Sequence, residues 1–180
     1  VVRVTGSEAR AGGAANVAIN LASLGARTSL TGIVGRDGNA ATLADLLRKH
    51  GIAVDFVESA SRPTITKLRV LSRNQQLIRL DTEENFSADD AVPMTGALER
   101  LLPPVSVCIL SDYGKGTLSQ VSALIGTCRR RGVPVLVDPK GTDFARYRGA
   151  TVLTPNQAEF EAVVGPARSQ AEIAEQGEAL

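Results

Sequence analysis

The chain alternates between short apolar runs and longer segments in which apolar residues recur every three or four positions. Runs of the first kind predict buried strands, and the second kind of spacing predicts amphipathic helices. From Pro93 onward the alternation is regular: it predicts helices over 94–102 and 117–131 and strands over 105–110, 133–137 and 150–153. Because strands that alternate with helices form parallel sheets with right-handed crossovers, the pattern predicts an α/β fold with a parallel sheet flanked by helices.

The first third of the chain predicts similar units, punctuated by glycine. Apolar residues at helical spacing follow Gly12-Gly13 and stop before Gly25, and a second helix is predicted from Asn39 to about His50, before Gly51. Gly25 and Gly51 stand where glycine commonly ends a helix in the left-handed conformation. Short strands are predicted over 28–33 and 54–57.

The segment over residues 64–81 has a different pattern, because two β-rich runs flank the turn residues Ser72-Arg73-Asn74. This arrangement predicts a β-hairpin inserted into the α/β domain. One face carries Ile65 and Leu71 together with the cations Lys67 and Arg69. Such a face is poorly suited to a core, so we expect it to cover a ligand or a partner. The alternative is a solvated edge hairpin whose cations prevent edge-to-edge association.

Polar clusters follow three successive predicted strands. Asp112 follows the first, Asp138 and Lys140 the second, and Asn156 and Glu159 the third. Ligands of open parallel sheets bind beyond the carboxyl ends of the strands, and Mg²⁺ is held by one or two carboxylates together with phosphate oxygens and water. The clusters therefore indicate a metal–phosphate substrate. The alternative is that they form ordinary turns and that Asn156 caps the following helix.

A fourth cluster lies near the start of the chain. Gly12 and Gly13 would let a ligand approach the free N–H groups at a helix N-terminus, and the Asn16 amide can exchange hydrogen bonds with hydroxyls. A double glycine before a helix is also a common turn. The sequence is neither the dinucleotide-binding fingerprint nor the Walker phosphate loop.

Charge and composition exclude several function classes. The net charge of +1 gives no electrostatic basis for binding nucleic acid or a membrane surface, and no apolar run reaches membrane-spanning length. Cys108 and Cys128 lack metal-ligand spacing, which predicts buried free thiols in a reducing compartment. We therefore expect a cytoplasmic protein without a nucleic-acid or membrane partner.

Five motifs, in this order, resemble the ribokinase-like (PfkB-type) sugar kinases: Gly12–Ala18, Gly32–Gly38, Asp112–Gly116, Asp138–Lys140 and Thr154–Glu159. The resemblance covers nearly all of residues 10–165. Residues 63–81 and 135–165 look like the branch of the family that phosphorylates D-glycero-β-D-manno-heptose 7-phosphate in bacterial lipopolysaccharide synthesis. The resemblance implies a ribokinase-like sheet with a small β-lid, ATP and Mg²⁺ as cofactors, and transfer of a phosphoryl group to the anomeric hydroxyl, giving the 1,7-bisphosphate.

Carried over by position, the resemblance also implies roles for single residues. The sugar would be bound by Gly12, Gly13, Asn16 and Asp112. The ATP phosphates would be bound by Lys140, Asn156, Gln157, Ala158 and Glu159. Glu159 would hold Mg²⁺ through water, with Asp138 as a further candidate, and the lid would form the contact of a homodimer. Because the substrate already carries a phosphate, we add that Lys67 and Arg69 hold that group by charge-assisted contacts.

Two parts of the family pattern are missing from the 180 residues. The Gly-Ala-Gly-Asp turn, which supplies the catalytic base and the anion hole, is expected beyond Leu180, and the N-terminal strand with its substrate-binding aspartate is missing too. We therefore expect a domain that is incomplete at both ends and inactive as it stands, because phosphoryl transfer depends on positioning and charge stabilisation. Fusion to a nucleotidyltransferase domain stays open. The alternatives are another PfkB-type kinase, for a sugar or a nucleoside, and a non-catalytic sugar- or nucleotide-binding module.

Overall fold

The computed structural model describes residues 3–73 and 75–179. The helices are α1 (Gly13–Ser23), α2 (Gly38–Lys49), α3 (Ala88–Ala91), α4 (Met94–Leu101), α5 (Val121–Arg130), a 3₁₀ helix (Phe144–Tyr147), α6 (Gln157–Val164) and α7 (Gln170–Ala179). The strands are β1 (Ser29–Leu30), β2 (Ile33–Gly35), β3 (Ala53–Val54), β4 (Val57–Ser59), β5 (Thr66–Ser72), β6 (Gln75–Thr82), β7 (Cys108–Ser111), β8 (Val135–Asp138) and β9 (Val152–Leu153).

A three-stranded parallel sheet, in the order β7-β8-β9, forms the centre of the second half of the chain. Its register places Cys108 opposite Val135 and Val137 opposite Leu153. Helices alternate with these strands, because the sequence alternates between short apolar runs and amphipathic segments. The parallel α/β architecture predicted from the pattern is therefore confirmed.

The main core lies between this sheet and the helices α4 and α5. Val135 and Val137 are fully buried, and Leu124 and Ile125 of α5 are each 1% exposed. The 3₁₀ helix closes the core with Phe144 and Tyr147, whose rings pack edge to face. A smaller aliphatic cluster holds α1 and α2 together through Ala15, Ala18, Leu47 and Ile52.

The strand predicted over 28–33 is interrupted, and so is the one predicted over 54–57. β1 pairs with β3 and β2 pairs with β4, both in parallel. At the break the Thr31 hydroxyl donates to the Asp55 carbonyl at 2.7 Å, so a side chain enters the ladder between the two pairs. The pattern of apolar residues along the chain gives no sign of this tertiary hydrogen bond. The sequence therefore predicted one continuous strand where β1 and β2 are separate, and another where β3 and β4 are separate.

Other predicted boundaries were wrong as well, since the strands expected over 133–137 and 150–153 span Val135–Asp138 and Val152–Leu153. The strand expected over 105–110 spans Cys108–Ser111, and the helix expected over 117–131 begins only at Val121. Residues 117–120 form a turn instead, in which the Ser119 and Val121 amides donate to the carbonyls of Gly116 and Leu118. This turn follows from the left-handed backbone of Gly116, at φ +92°.

The hairpin β5–β6 is antiparallel, as predicted, with a register shift between Val70 and Leu71. Asn74 of the predicted turn lies outside the described residues. Cross-strand neighbours share a face, so Lys67 and Arg69 lie on one side with Asp81 and Arg79. The other face is apolar, since Leu68 faces Leu80 and Val70 faces Ile78.

The hairpin is anchored to the body just before β5. The Asp37 carboxylate accepts hydrogen bonds from the Thr64 amide and hydroxyl, each at 2.8 Å, and also caps α2 through the Ala40 amide. The Thr64 hydroxyl in turn accepts from the Gly35 amide at 2.9 Å. Desolvation opposes ionisation of Asp37, but these hydrogen bonds outweigh it and lower its pKa. An ionised carboxylate therefore joins the end of β2 to the start of the hairpin.

Within residues 3–73 and 75–179 no helix is long and apolar enough to cross a membrane. Cys108 and Cys128 are buried free thiols that form no disulfide, as the sequence predicted.

Candidate active site

The predicted polar clusters lie side by side at the carboxyl edge of the parallel sheet. Ser111 at the end of β7 is in register with Asp138 at the end of β8, and the Asp112 amide donates to the Asp138 carbonyl at 2.9 Å. One strand further, the Thr154 amide donates to the Val137 carbonyl at 2.9 Å. The sheet therefore brings the groups after β7, β8 and β9 to one edge.

Helix α6 begins with a capping box, and one residue of that box also forms an ion pair with Lys140. The Asn156 side chain accepts from the Glu159 amide at 3.0 Å, and the Glu159 carboxylate accepts from the Asn156 amide at 3.2 Å. The other carboxylate oxygen of Glu159 accepts from Lys140 Nζ at 2.9 Å. The capping role that the alternative interpretation gave to Asn156 is thus present, and the same box places the Glu159 carboxylate beside Lys140.

The ion pair fixes the charge of both side chains. The hydrogen bond with Lys140 lowers the pKa of Glu159, and the same bond raises the pKa of Lys140, with a smaller contribution from Asp138. Both groups are therefore charged across the physiological range. An ammonium beside a carboxylate at a helix N-terminus is suited to phosphate oxygens and their counter-cation.

Gln157 and Ala158 form the first turn of α6, where backbone N–H groups have no partner within the helix. Both residues are exposed, and the Gln157 amide donates to Glu161 at 2.7 Å. Asp138 is exposed as well, with the Ser111 hydroxyl 3.5 Å from its carboxylate. Among the described residues no three His, Cys, Asp or Glu side chains gather into a metal site.

Asp112 differs from the other predicted residues because it is 6% exposed. Its carboxylate accepts from the Tyr147 hydroxyl and from the Gly114 amide, both at 2.8 Å. Desolvation, together with the Asp112 hydrogen bond, raises the pKa of Tyr147 to about 12. The sequence analysis missed Tyr147, because the tyrosine lies 35 residues from the aspartate that it holds. In this arrangement Asp112 shapes the loop over 112–116.

The expected sugar-binding residues lie at the N-terminus of α1. Gly12 is the N-cap without a side-chain bond, and Gly13 has a left-handed backbone at φ +53°. A Cβ at Gly13 would lie 3.6 Å from the Tyr113 ring, so the loop after β7 borders this helix end. Asn16 is exposed on the first turn.

The two hairpin cations are in different environments. Lys67 Nζ lies 3.0 Å from Asp81 and 2.6 Å from Glu83, so its charge is already balanced. Arg69 lies directly opposite Arg79 in the register and makes no ion pair within the described part of the chain. Arg79 itself pairs with Asp81, whose Oδ1 lies 3.0 Å from Arg79 Nε. A bound anion would neutralise Arg69.

Comparison with known proteins agrees with this geometry. The profile described as "pfkB family carbohydrate kinase" matches residues 1–180. The chain is 57% identical over its whole length to the Bifunctional protein HldE of Erwinia tasmaniensis, and 56% identical over 98% of its length to that of Klebsiella pneumoniae strain 342. It spans 38% and 37% of the length of these relatives.

Solved structures share the fold at low sequence identity. Phosphofructokinase-2 from Escherichia coli, in its tetrameric inhibited form, matches 99% of this chain and 63% of its own, with a TM-score of 0.66 and 21% identity. Ribokinase from Giardia lamblia matches 99% and 59%, with a TM-score of 0.68 and 14% identity. These likenesses confirm the ribokinase-like architecture, and the family profile covers the whole chain. The chain belongs to the PfkB family of carbohydrate kinases.

Proposed function

We propose that the protein transfers the γ-phosphoryl group of ATP to the anomeric hydroxyl of D-glycero-D-manno-heptose 7-phosphate and forms the 1,7-bisphosphate, in the cytoplasmic route to ADP-heptose for lipopolysaccharide. Membership of the carbohydrate kinase family supports the reaction type. The identity of 57% to a Bifunctional protein HldE, and the resemblance of residues 63–81 and 135–165 to heptose 7-phosphate kinases, support the substrate.

The charge on one face of the hairpin is the observation that most strongly supports a phosphorylated sugar as the substrate. Lys67, Arg69 and Arg79 share that face. Asp81 pairs with Lys67 and with Arg79, each at 3.0 Å, whereas Arg69 makes no ion pair within the described residues. An uncharged sugar would leave Arg69 without a counter-charge. A sugar phosphate would supply that anion through charge-assisted hydrogen bonds, which are stronger than neutral ones.

On the nucleotide side, Lys140 and the first turn of α6 over 156–159 would bind ATP phosphates. Glu159 is ionised and Asp138 is exposed, so at most two carboxylates face the phosphates. This donor set fits Mg²⁺, which takes one or two carboxylates and fills its other positions with phosphate oxygens and water. Bound Mg²⁺ would neutralise charge that develops on the transferring group. Lys140 and the first turn of α6 would orient the ATP phosphates.

On the sugar side, Gly12 and Gly13 would offer backbone N–H groups to hydroxyls, and Asn16 would offer its amide. Asp112 retains unused lone pairs for a sugar hydroxyl, although two protein donors already engage its carboxylate. The catalytic base would come from a Gly-Ala-Gly-Asp turn outside these 180 residues. The tests of activity use the full-length protein, because the chain spans 38% and 37% of the length of the relatives that it matches.

The apolar face of the hairpin supports a homodimer. Leu68, Ile78 and Leu80 are 57%, 48% and 51% exposed although they share one face. Contiguous apolar surface of this kind marks an interaction site, and we propose a second copy as its occupant. Sedimentation of the full-length protein checks this: Leu68→Asp should produce monomers, and a dimer unaffected by that change would contradict the assignment.

The direct test incubates the full-length protein with ATP, Mg²⁺ and heptose 7-phosphate and follows ADP release and the ³¹P spectrum. We expect a new anomeric phosphate signal beside the retained 7-phosphate signal. Turnover of ribose, fructose or a nucleoside instead would favour another kinase of the family. Binding of sugar and ATP without ADP release would favour a non-catalytic module.

A double variant tests the hairpin cations. Lys67→Met with Arg69→Met should raise the KM for heptose 7-phosphate by about 10–100-fold, because hydrogen bonds to charged groups are lost. The KM for ATP should not change, since neither residue lies on the nucleotide side. An unchanged KM for the sugar phosphate would refute the role of these two cations.

A further inference from the structure

A cluster of charged side chains joins the hairpin to the loop after β7. Glu83, just past β6, accepts a hydrogen bond from Lys67 through one carboxylate oxygen and from Lys115 through the other. Lys67 also reaches Asp81 at 3.0 Å. One carboxylate therefore bridges two ammonium groups, one on the hairpin and one at the carboxyl edge of the sheet.

The backbone fixes Lys115 in this place. Its carbonyl accepts from the Phe86 amide at 2.9 Å, and the Phe86 side chain is 6% exposed in the core. Gly116 has φ +92°, and a Cβ there would lie 2.1 Å from the Phe86 carbonyl oxygen. Only glycine allows this approach, so the loop and the end of the hairpin are held in contact at a defined position.

The cluster lies at the sugar side of the edge. The loop that carries Lys115 also carries Tyr113, whose ring borders Gly13 at the N-terminus of α1. The side chains of Lys115 and Glu83 remain partly exposed, at 34% and 23%. Both are accessible from the solvent, and Glu83 can leave the bridge without disturbing the core.

We propose that Lys115 and Lys67 together bind the phosphate that the sugar already carries, and that Glu83 occupies their ammonium groups until that phosphate replaces it. This inference rests on the proposed function and names a specificity-determining residue for it. A phosphate brings up to two negative charges and three acceptor oxygens, whereas Glu83 brings one charge and two oxygens. A sugar phosphate therefore displaces Glu83, and an uncharged sugar does not.

The bridge thus acts on selectivity as well as on affinity. Specificity is a difference between affinities. An uncharged sugar leaves the bridge in place, so Glu83 costs it nothing, whereas a sugar phosphate must displace the carboxylate. Removal of Glu83 would therefore free the two ammonium groups for the phosphate and leave the affinity for an unphosphorylated sugar unchanged.

The test compares Lys115→Met with Lys115→Arg in the full-length protein, with Lys49→Met as the matched control, because Lys49 is an exposed lysine at the end of α2. Lys115→Met should raise the KM for heptose 7-phosphate by about 10–100-fold, and Lys115→Arg should restore part of it. The KM for ATP should stay constant in all three variants. A KM for the sugar phosphate within twofold of wild type in Lys115→Met would overturn the proposal, and so would an equal rise in the KM for ATP.

Glu83→Gln keeps the proposal testable if Lys115→Met does not fold. This variant should lower the KM for heptose 7-phosphate and increase the preference for it over unphosphorylated heptose. An unchanged preference would overturn the displacement step.

Calorimetric titration with heptose 7-phosphate tests the phosphate site at Lys115 separately from the proposed reaction. If wild type binds the sugar phosphate, Lys115→Met binds it more weakly and neither protein turns it over, the proposed reaction is contradicted and the phosphate site at Lys115 is supported. If wild type turns the sugar phosphate over and Lys115→Met binds it equally well, only the phosphate site at Lys115 is contradicted.

Discussion

The parallel sheet β7-β8-β9 and the hairpin β5–β6 are held by different forces. Val135 and Val137 of the sheet are fully buried, whereas Leu68, Ile78 and Leu80 of the hairpin are about half exposed. Burial of apolar surface contributes roughly 25 cal/mol per Å², so the sheet is stabilised by its core. The hairpin depends on its backbone ladder, on ion pairs such as Lys67–Asp81, and on the anchor between Thr64 and Asp37.

This difference separates two tasks in the proposed reaction. A well-packed sheet holds Asp138, Lys140 and α6 at fixed positions, as transfer of a phosphoryl group requires. A hairpin with little core of its own can change its contacts when a charged ligand or a second copy arrives, since regions with few buried apolar contacts open at low cost.

The largest expected effect comes from a matched pair of isoleucines. Ile125→Ala, at a core position that is 1% exposed, should lower the free energy of unfolding by about 2–5 kcal/mol. Ile78→Ala, at a hairpin position that is 48% exposed, should lower it by less than about 1 kcal/mol. Urea unfolding of both variants measures the difference. Equal losses would mean that Ile78 is buried, in a core of the hairpin or in the proposed dimer interface.

A second pair sharpens the comparison at two capping boxes. Asn156→Ala and Ser87→Ala each remove the cap of a helix, α6 and α3 respectively, so each should cost about 1 kcal/mol of stability. Only Asn156→Ala should also raise the KM for ATP, because Asn156 helps to position Glu159. An equal rise in the KM for ATP in both variants would indicate a general loss of folding instead.

The smallest expected effect is the pH dependence of the stability that Glu83, just past β6, contributes. Hydrogen bonds from Lys115 and then Lys67 lower the pKa of Glu83 from 4.5 to about 2. A lowered pKa in the folded state means that the contact stabilises the fold above about pH 4.5, and that this stabilisation is lost as the pH falls toward 2. The stability difference between wild type and Glu83→Gln should shrink over that range at low salt. A difference that is constant with pH would contradict the bridge.

Local signals in the sequence predicted much of the fold. Gly12-Gly13 and Gly25 bound α1 within a residue or two, because glycine chemistry and helical spacing act over a few neighbours. The hairpin was predicted for the same reason. The interruption between β1 and β2 was not, since it depends on a hydrogen bond from Thr31 to Asp55, 24 residues away.

The candidate site shows the same division. The clusters after β7, β8 and β9 could be placed together because parallel strands share an edge. The cap that Asn156 forms on α6 was anticipated as the alternative interpretation of the third cluster. The partners of the site were not: Tyr147 lies 35 residues from Asp112, and Lys115 lies 32 residues from Glu83. Charge alone suggested Lys67 as a phosphate ligand, but only the structure shows the carboxylates that already hold it.

The most direct test of the central claim is the ratio of kcat/KM for heptose 7-phosphate to kcat/KM for unphosphorylated heptose, measured on the full-length protein with ATP and Mg²⁺. Recognition of the phosphate by several charged groups predicts a ratio above about 100. The ratio should fall toward 1 when Lys67, Arg69 and Lys115 are all replaced by Met. A ratio near 1 in the wild type would contradict the claim that this protein selects a phosphorylated sugar through its charged hairpin and the adjoining loop.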